Sequence, residues 1–146
     1  MACFVQDIWI ADRIESDILG LCGRHRLMNV GFDPWQSRQM AQRLRAEGVN
    51  MLEFRATTQN FSPAIVELDA AMRSGRLRHD GNPVLEWCVG NVVGRPDRRG
   101  NLYPAKPRPD QKIDAAVALM MAVGRAMAED ASEGELTDFL RDPVIA

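Results

Sequence analysis

The sequence has few cysteines and few aromatic residues, and it contains no long hydrophobic run. Its three cysteines, Cys3, Cys22 and Cys88, are too few and too scattered for a disulfide framework or a paired-cysteine zinc site. No stretch approaches the ~18 consecutive apolar residues of a membrane span, and the first residues do not resemble a signal peptide. A Walker A loop, a Ser–His–Asp arrangement and a glycine-rich dinucleotide fingerprint are also missing from the sequence. These absences predict a soluble, cytoplasmic protein.

The net charge of −2 over 146 residues conceals an uneven distribution. Residues 73–112 hold nine basic and four acidic residues, whereas residues 126–146 hold six acidic residues and one arginine. Clustered Lys and Arg are typical of nucleic-acid-binding surfaces, although a solvated loop would have the same composition. The charge pattern therefore permits a polyanionic partner such as DNA without requiring one.

Short apolar strands alternate with amphipathic helices along the chain. The predicted helices cover about residues 8–24, 36–47, 63–73, 83–89 and 110–127, and the predicted strands cover 28–32, 51–54 and 92–93. The proline-rich basic segment at 94–109 is predicted to be an exposed loop or a twisted hairpin. This alternation predicts an α/β fold with helices packed on a small sheet. We expect one domain over residues 1–128 and an acidic, loosely ordered tail at 129–146.

Asp33 is the first of two acidic residues that could bind a metal. It follows the apolar run Val30–Phe32 and precedes a predicted helix. Ligands of open α/β sheets collect at the carboxyl ends of strands, which suits a metal-binding acid. The same residue is a good helix cap, because Pro34 follows at the first helical position and Gln36 lies three residues on. The residues alone leave both roles open.

Asp114 is the second candidate. It lies near the start of the last predicted helix and heads a stripe that continues with Ala118 and Met121. An acid facing the core needs a partner or a cation because an isolated buried charge is costly. The alternative is an exposed acid that the N-terminal end of the helix dipole favours. Two carboxylates from separate elements suit Mg²⁺ or Mn²⁺ and could serve a two-metal phosphodiesterase.

Three segments together resemble the nuclease part of phage terminase large subunits. They are VGFDPW at 30–35, LRHDGNPVLEW at 77–87 with NVV at 91–93, and KIDAAVAL at 112–119. The resemblance covers about residues 8–127, with the segments in matching order and spacing. It implies an RNase H-like domain that cuts concatemeric viral DNA during packaging, alongside an ATPase half that drives translocation into the procapsid.

The resemblance also implies roles for individual residues and partners. It makes Asp33 and Asp114 ligands of Mg²⁺ or Mn²⁺. Apart from the resemblance, His79, which precedes Asp80 and Gly81, is a candidate phosphate contact or a supporting residue of the metal site, or alternatively a residue of a polar turn. Basic residues of the middle segment are expected to contact phosphates of double-stranded DNA: Arg95, Arg98, Arg99, Lys106, Arg108 and Lys112. The terminase small subunit, the portal protein and a second copy of the chain are the expected protein partners.

The front of the chain departs from the family pattern. The family's first catalytic acid lies on a hairpin strand before the helix at 8–24, and neither Asp7 nor Asp12 matches it. We therefore expect an RNase H-like sheet that lacks its leading β-hairpin, an incomplete metal site and little or no independent cleavage. The alternative function is that of an inactive prophage remnant that binds DNA or another terminase component.

Overall fold

The computed structural model describes the backbone of residues 3–141 and the side chains of residues 10–130 except Gln36. The chain forms two compact units, Met1–Arg55 and Ala56–Ala146. Its elements are α1 (Cys3–Arg24), β1 (Val30–Phe32), α2 (Pro34–Ala46), β2 (Met51–Glu53), α3 (Thr58–Arg73), α4 (Pro83–Asn91), β3 (Val93–Pro96), β4 (Leu102–Ala105) and α5 (Asp114–Arg141). None of the helices in the described residues is long and apolar enough to cross a membrane.

The first unit is built around a β–α–β arrangement. Strands β1 and β2 pair in parallel, with Val30 opposite Met51 and Phe32 opposite Glu53. Parallel neighbours need a crossover connection, which α2 supplies. The buried core consists of Phe32, Ala41, Leu44, Val49 and Met51, with Ile18, Cys22, Val30 and Met40 packed against it. Burial of these apolar groups is the main term that stabilises the unit.

Two arginines of α2 tie that helix to its neighbours. Arg43 donates from Nε to both carboxylate oxygens of Glu15 on α1, over 2.9 and 3.0 Å. These hydrogen bonds hold the pKa of Glu15 below its ordinary value. Arg45 donates from Nε and Nη2 to the main-chain oxygen of Met51, over 3.2 and 2.7 Å. Helix α2 is thus fixed both to α1 and to the start of β2.

The second unit packs three helices and a hairpin around a small core. Helix α3 contacts β4 and α5, and α4 also contacts α5. Phe61 of α3 is fully buried, and its ring meets Tyr103 of β4 edge to face, with centroids 5.4 Å apart. The other buried apolar residues of the described part of this unit are Ala64, Leu68, Cys88, Ala116 and Met120. Phe61 therefore joins the hairpin to the helical core.

Strands β3 and β4 form an antiparallel hairpin. The register places Gly94 opposite Pro104 and Pro96 opposite Leu102, so each strand contains one proline. All of β3 is exposed, and in β4 only Pro104 is buried. The structure thus resolves the two alternatives for this segment in favour of the twisted hairpin.

Three helices, α1, α3 and α5, differ by more than two residues from the predicted bounds. Helix α1 begins at Cys3 rather than at residue 8. Helix α3 begins at Thr58 rather than Pro63, because Thr57 caps it by accepting a 3.3 Å hydrogen bond from the Asn60 amide. Its residue Met72 is 44% exposed. Helix α5 begins at Asp114 rather than Asp110 and continues to Arg141. Residues 129–141 of the predicted tail therefore belong to a helix, and residues 142–146 lie outside the described part of the chain.

Candidate functional site

Asp33 stands at the carboxyl end of β1, immediately before α2. Its Oδ1 accepts a 3.0 Å hydrogen bond from the Trp35 amide, and Pro34 occupies the first helical position. The main-chain oxygen of Asp33 also accepts from the Ser37 hydroxyl. No donor among the described residues reaches Oδ2, and the residue is half-buried. Asp33 thus caps α2 through one of its two carboxylate oxygens.

A second carboxylate lies at the same end of this two-stranded sheet. Glu53 ends β2 opposite Phe32, the residue that precedes Asp33. It pairs with Arg55 across 3.8 Å. The sequence interpretation did not single out Glu53, although its place at the end of an apolar strand is the same signal that marks Asp33.

Asp114 is the first residue of α5 and is exposed to solvent. Its side chain does not face the core. The buried side of this helix is defined by Ala116 and Met120, which are 0% and 5% exposed. Asp114 lies two residues before Ala116. Because an α-helix turns by about 100° per residue, the two side chains are about 200° apart around the helix axis, on nearly opposite sides. The exposed acid at a helix N-terminus, the alternative interpretation, is what the structure contains.

The segment before Asp114 is anchored by a residue that sequence reasoning missed. Asn91, the last residue of α4, is only 8% exposed, and its side-chain amide donates to the main-chain oxygen of Lys112 over 3.2 Å. One turn of main chain then follows, in which the Val117 amide bonds to the Ile113 oxygen over 2.9 Å. The start of α5, and with it Asp114, is therefore held against α4.

His79 lies in the polar turn before α4 and is exposed. Its Nδ1 accepts a 3.1 Å hydrogen bond from the amide of Gly81, which has a φ of 76°. Asp80 accepts from the Asn82 amide over 3.1 Å, and Asn82 in turn caps α4 by accepting from the Val84 amide over 2.9 Å. This arrangement gives His79 a role in shaping the turn, and its proposed support of a metal site stays a prediction.

Three of the predicted DNA contacts belong to the hairpin. Arg95 lies on the exposed strand β3, while Arg98 and Arg99 lie in the turn that joins β3 to β4. All three are exposed, and no carboxylate of the described residues forms an ion pair with them. Their charges are therefore available to an anionic partner.

The other three predicted contacts follow the hairpin. Lys106 donates from Nζ to the main-chain oxygen of Pro109 over 3.2 Å, and Arg108 lies 3.6 Å from the Asp110 carboxylate. Lys112 is exposed. Because Arg108 is already paired, its charge is less available to DNA than the charges of the hairpin arginines.

Asp97 organises the turn that carries these arginines, and the sequence interpretation did not single it out. Its Oδ1 accepts from the main-chain amides of Arg99 and Asn101, over 2.8 and 2.9 Å, and its Oδ2 accepts from the Asn101 side chain over 3.0 Å. Gly100, with a φ of 83°, completes the turn in a conformation that favours glycine. The pKa of Asp97 is lowered, chiefly by the Asn101 side chain, with further hydrogen bonds from those two amides and the Thr58 side chain.

Comparison with known proteins relates both units to one family. The family model described as "Terminase large subunit, endonuclease domain" matches residues 9–130. Protein YmfN of Escherichia coli strain K12 is 42% identical over 111 residues, which are 75% of this chain and 24% of that protein. The large terminase subunit of Enterobacteria phage HK97 is 32% identical over 134 residues, which are 90% of this chain and 27% of that protein.

The fold is shared as well. The crystal structure of the HK97 large terminase superposes with a TM-score of 0.71 at 32% identity, covering 79% of this chain and 24% of that one. The predicted α/β fold of RNase H-like type, with small sheets and flanking helices, is thereby confirmed. The chain spans about a quarter of the length of these relatives. It belongs to the family of terminase large subunit endonuclease domains.

Proposed function

We propose that this chain binds double-stranded viral DNA and, with Mg²⁺ or Mn²⁺, serves as the endonuclease part of a terminase large subunit during DNA packaging. The observation that carries the proposal is the family match over residues 9–130, which includes both Asp33 and Asp114. Because the chain spans about a quarter of its relatives, cleavage of concatemeric DNA is proposed for an assembly to which it contributes. The small subunit and the portal protein are the partners proposed for that assembly.

The two acids have the chemistry that a hard divalent cation requires. Asp33 has one carboxylate oxygen without a donor among the described residues, and the Asp114 side chain is exposed. Mg²⁺ and Mn²⁺ prefer such oxygen ligands. When bound, the metal would stabilise the attacking and leaving oxygens of phosphodiester hydrolysis. No cluster of three or more potential ligands occurs among the residues that the structure describes, so we expect binding in the millimolar range.

Thermal denaturation with and without Mn²⁺ tests the metal site. A ligand that binds only the folded state raises the melting temperature by mass action, so Mn²⁺ should stabilise the chain. Asp33→Asn and Asp114→Asn should each abolish that shift. Asp110→Asn, which removes a nearby acid of the same charge, should leave it nearly intact. A Mn²⁺ shift that survives both of the first two substitutions would place the site elsewhere.

A plasmid-nicking assay tests cleavage by the chain alone. With two acidic ligands we expect little or no nicking in Mn²⁺, because two-metal sites usually need three or four acids. The same consideration favours a second candidate function, DNA binding without cleavage. Robust Mn²⁺-dependent nicking that Asp33→Asn abolishes would contradict that second candidate and the expectation of an incomplete site.

A further inference from the structure

Trp35 is the most exposed large apolar residue of the described part of the chain. It is 78% exposed, although tryptophan is highly buried on average in folded proteins. Trp35 is the second residue of α2, and its main-chain amide donates the 3.0 Å hydrogen bond to Oδ1 of Asp33. The main chain that carries the indole is therefore fixed beside the proposed metal ligand.

The side chains that share the outer face of α2 with Trp35 are polar. Arg38 and Gln39 follow Trp35 at three and four residues, a spacing that makes side chains neighbours on a helix, and Gln42 follows one turn later. All three are exposed. Arg38 forms no ion pair with a carboxylate of the described residues. This surface combines one aromatic ring with a positive charge and two amides.

Such a surface suits a nucleic acid better than the centre of a protein interface. The aromatic residues that dominate protein interfaces fill well-packed, desolvated pockets, and the polar neighbours of Trp35 on α2 provide no apolar wall. Proteins that hold single-stranded nucleic acid combine positive charge with aromatic side chains on which bases stack. Inside a duplex each base is covered by its neighbours, so stacking on a protein ring requires a base that leaves the helix.

We propose that Trp35 is a specificity-determining residue whose indole stacks on an unpaired DNA base beside Asp33. Arg38 supplies a positive charge next to the strand that carries this base. The chain therefore binds double-stranded DNA preferentially at a position where a base is unpaired, since less energy is then spent on unstacking. The inference rests on the proposed function, because it takes DNA as the ligand, but the stacking requires no metal.

Three fluorescent duplexes separate base stacking from contacts to the backbone. One is fully paired, the second carries a single unpaired thymine, and the third carries an abasic unit in place of that thymine. Anisotropy in EDTA measures the affinity for each. The wild type should prefer the duplex with the unpaired thymine, and Trp35→Ala should weaken binding to that duplex alone, by roughly 5- to 100-fold.

Two further variants serve as controls for this loss. Trp35→Phe keeps an aromatic ring and should retain part of the preference for the unpaired thymine. Trp87→Ala removes another exposed tryptophan, which is 52% exposed on α4, and should retain all of it. An equal loss in Trp87→Ala, or a Trp35→Ala chain that keeps the preference, would overturn the proposal.

The wild-type results also separate this inference from the proposed function. A chain that binds the three duplexes equally in EDTA, or binds none of them, would overturn the role of Trp35. Binding that returns when Mn²⁺ is added would leave the proposed function standing. Absence of binding in Mn²⁺ as well would overturn both.

A measurement on the wild-type indole removes dependence on how the variants fold. The Nε1–H resonance of Trp35, identified by its loss in Trp35→Phe, should shift when the duplex with the unpaired thymine is added. A silent resonance, or an equal shift with the abasic duplex, would overturn the proposal. A shift that depends on protein concentration without DNA would instead place Trp35 in a contact between copies of the chain, and would overturn it too.

Discussion

The side-chain amide of Asn91 donates a 3.2 Å hydrogen bond to the main-chain oxygen of Lys112, 21 residues further along the chain. This bond joins the end of α4 to the segment that enters α5. A hydrogen bond from a buried side-chain amide stabilises one arrangement of the chain over others. The position of Asp114, two residues after Lys112, therefore depends on a side chain of another helix.

Replacement of Asn91 by alanine should lower the free energy of unfolding by about 1 kcal/mol, because it removes the hydrogen bond that a buried side chain donates to the Lys112 oxygen. Urea denaturation measures the loss. The matched control is Asn50→Ala, which removes a similar 3.0 Å bond to the Met28 oxygen from an exposed residue. Water can replace that bond, so the control should cost less. Equal losses of unfolding free energy in the two variants would show that burial does not make the Asn91 hydrogen bond more stabilising than an exposed one.

Two substitutions at Asp33 should separate capping from metal binding. Asp33→Ala removes the cap of α2 and should cost about 1 kcal/mol of stability in the absence of metal. Asp33→Asn should be nearly neutral there, because asparagine caps helices as well as aspartate does. Both variants should lose the Mn²⁺ shift. The measurement is the melting temperature of each variant in EDTA and in Mn²⁺. An Asp33→Asn chain whose melting temperature still rises in Mn²⁺ would count against ligation by Asp33.

The lowered pKa of Asp97 makes the stability of the hairpin turn dependent on pH. The folded-state pKa lies below the ordinary value of 3.8, so the contribution of the ionised carboxylate is fully present above pH 3.8. It is lost as the pH falls through the depressed folded-state value. The melting temperature of the wild type should therefore exceed that of Asp97→Asn at neutral pH. The difference between the two melting temperatures should disappear in strong acid. A gap that is constant across this range would contradict the assignment.

Phe61 should be the most sensitive apolar position of the second unit. Phe61→Ala removes a buried ring and its edge-to-face contact with Tyr103, and should cost about 3–5 kcal/mol. Tyr103→Leu keeps most of the apolar volume and should cost about 1 kcal/mol through loss of the ring pair alone. Chemical denaturation compares the two. Similar costs would mean that Phe61 contributes mainly through that pair and little through its own burial.

The parts of the site that the sequence predicts are those fixed by neighbouring residues. Asp33 caps α2, one of the two roles that the sequence offered, because the determinants, an acid followed by proline, are adjacent in the chain. The Asn82 cap before α4 is of the same kind. In both cases the amide that donates to the capping side chain lies two or three residues further along the chain. The cap can therefore be predicted without knowing which distant segments come into contact.

The parts that could not be predicted depend on contacts between distant segments. Asn91 resembles any polar residue at a helix end until α5 places the Lys112 oxygen beside it. The Thr58 side chain contributes to the lowered pKa of Asp97 only because the hairpin packs on α3. Periodicity gives the spacing of residues around α5 but not which side faces the core, so the sequence left open whether Asp114 is buried or exposed.

The placement of the hairpin prolines has a consequence for self-association. At the turn end of the hairpin, the main-chain amide of Asp97 donates a 2.8 Å hydrogen bond to the main-chain oxygen of Asn101. Along two antiparallel strands, residue pairs joined by main-chain hydrogen bonds alternate with pairs that are not joined in this way. Both pairs that contain proline are therefore non-bonded, and both prolines occupy positions whose main chain faces outward. Gly94 and Leu102 are then the single outward amide donors of their strands. With one outward amide donor on each strand, the addition of a further strand at either edge of the hairpin is disfavoured, so the prolines protect the hairpin against edge-to-edge aggregation.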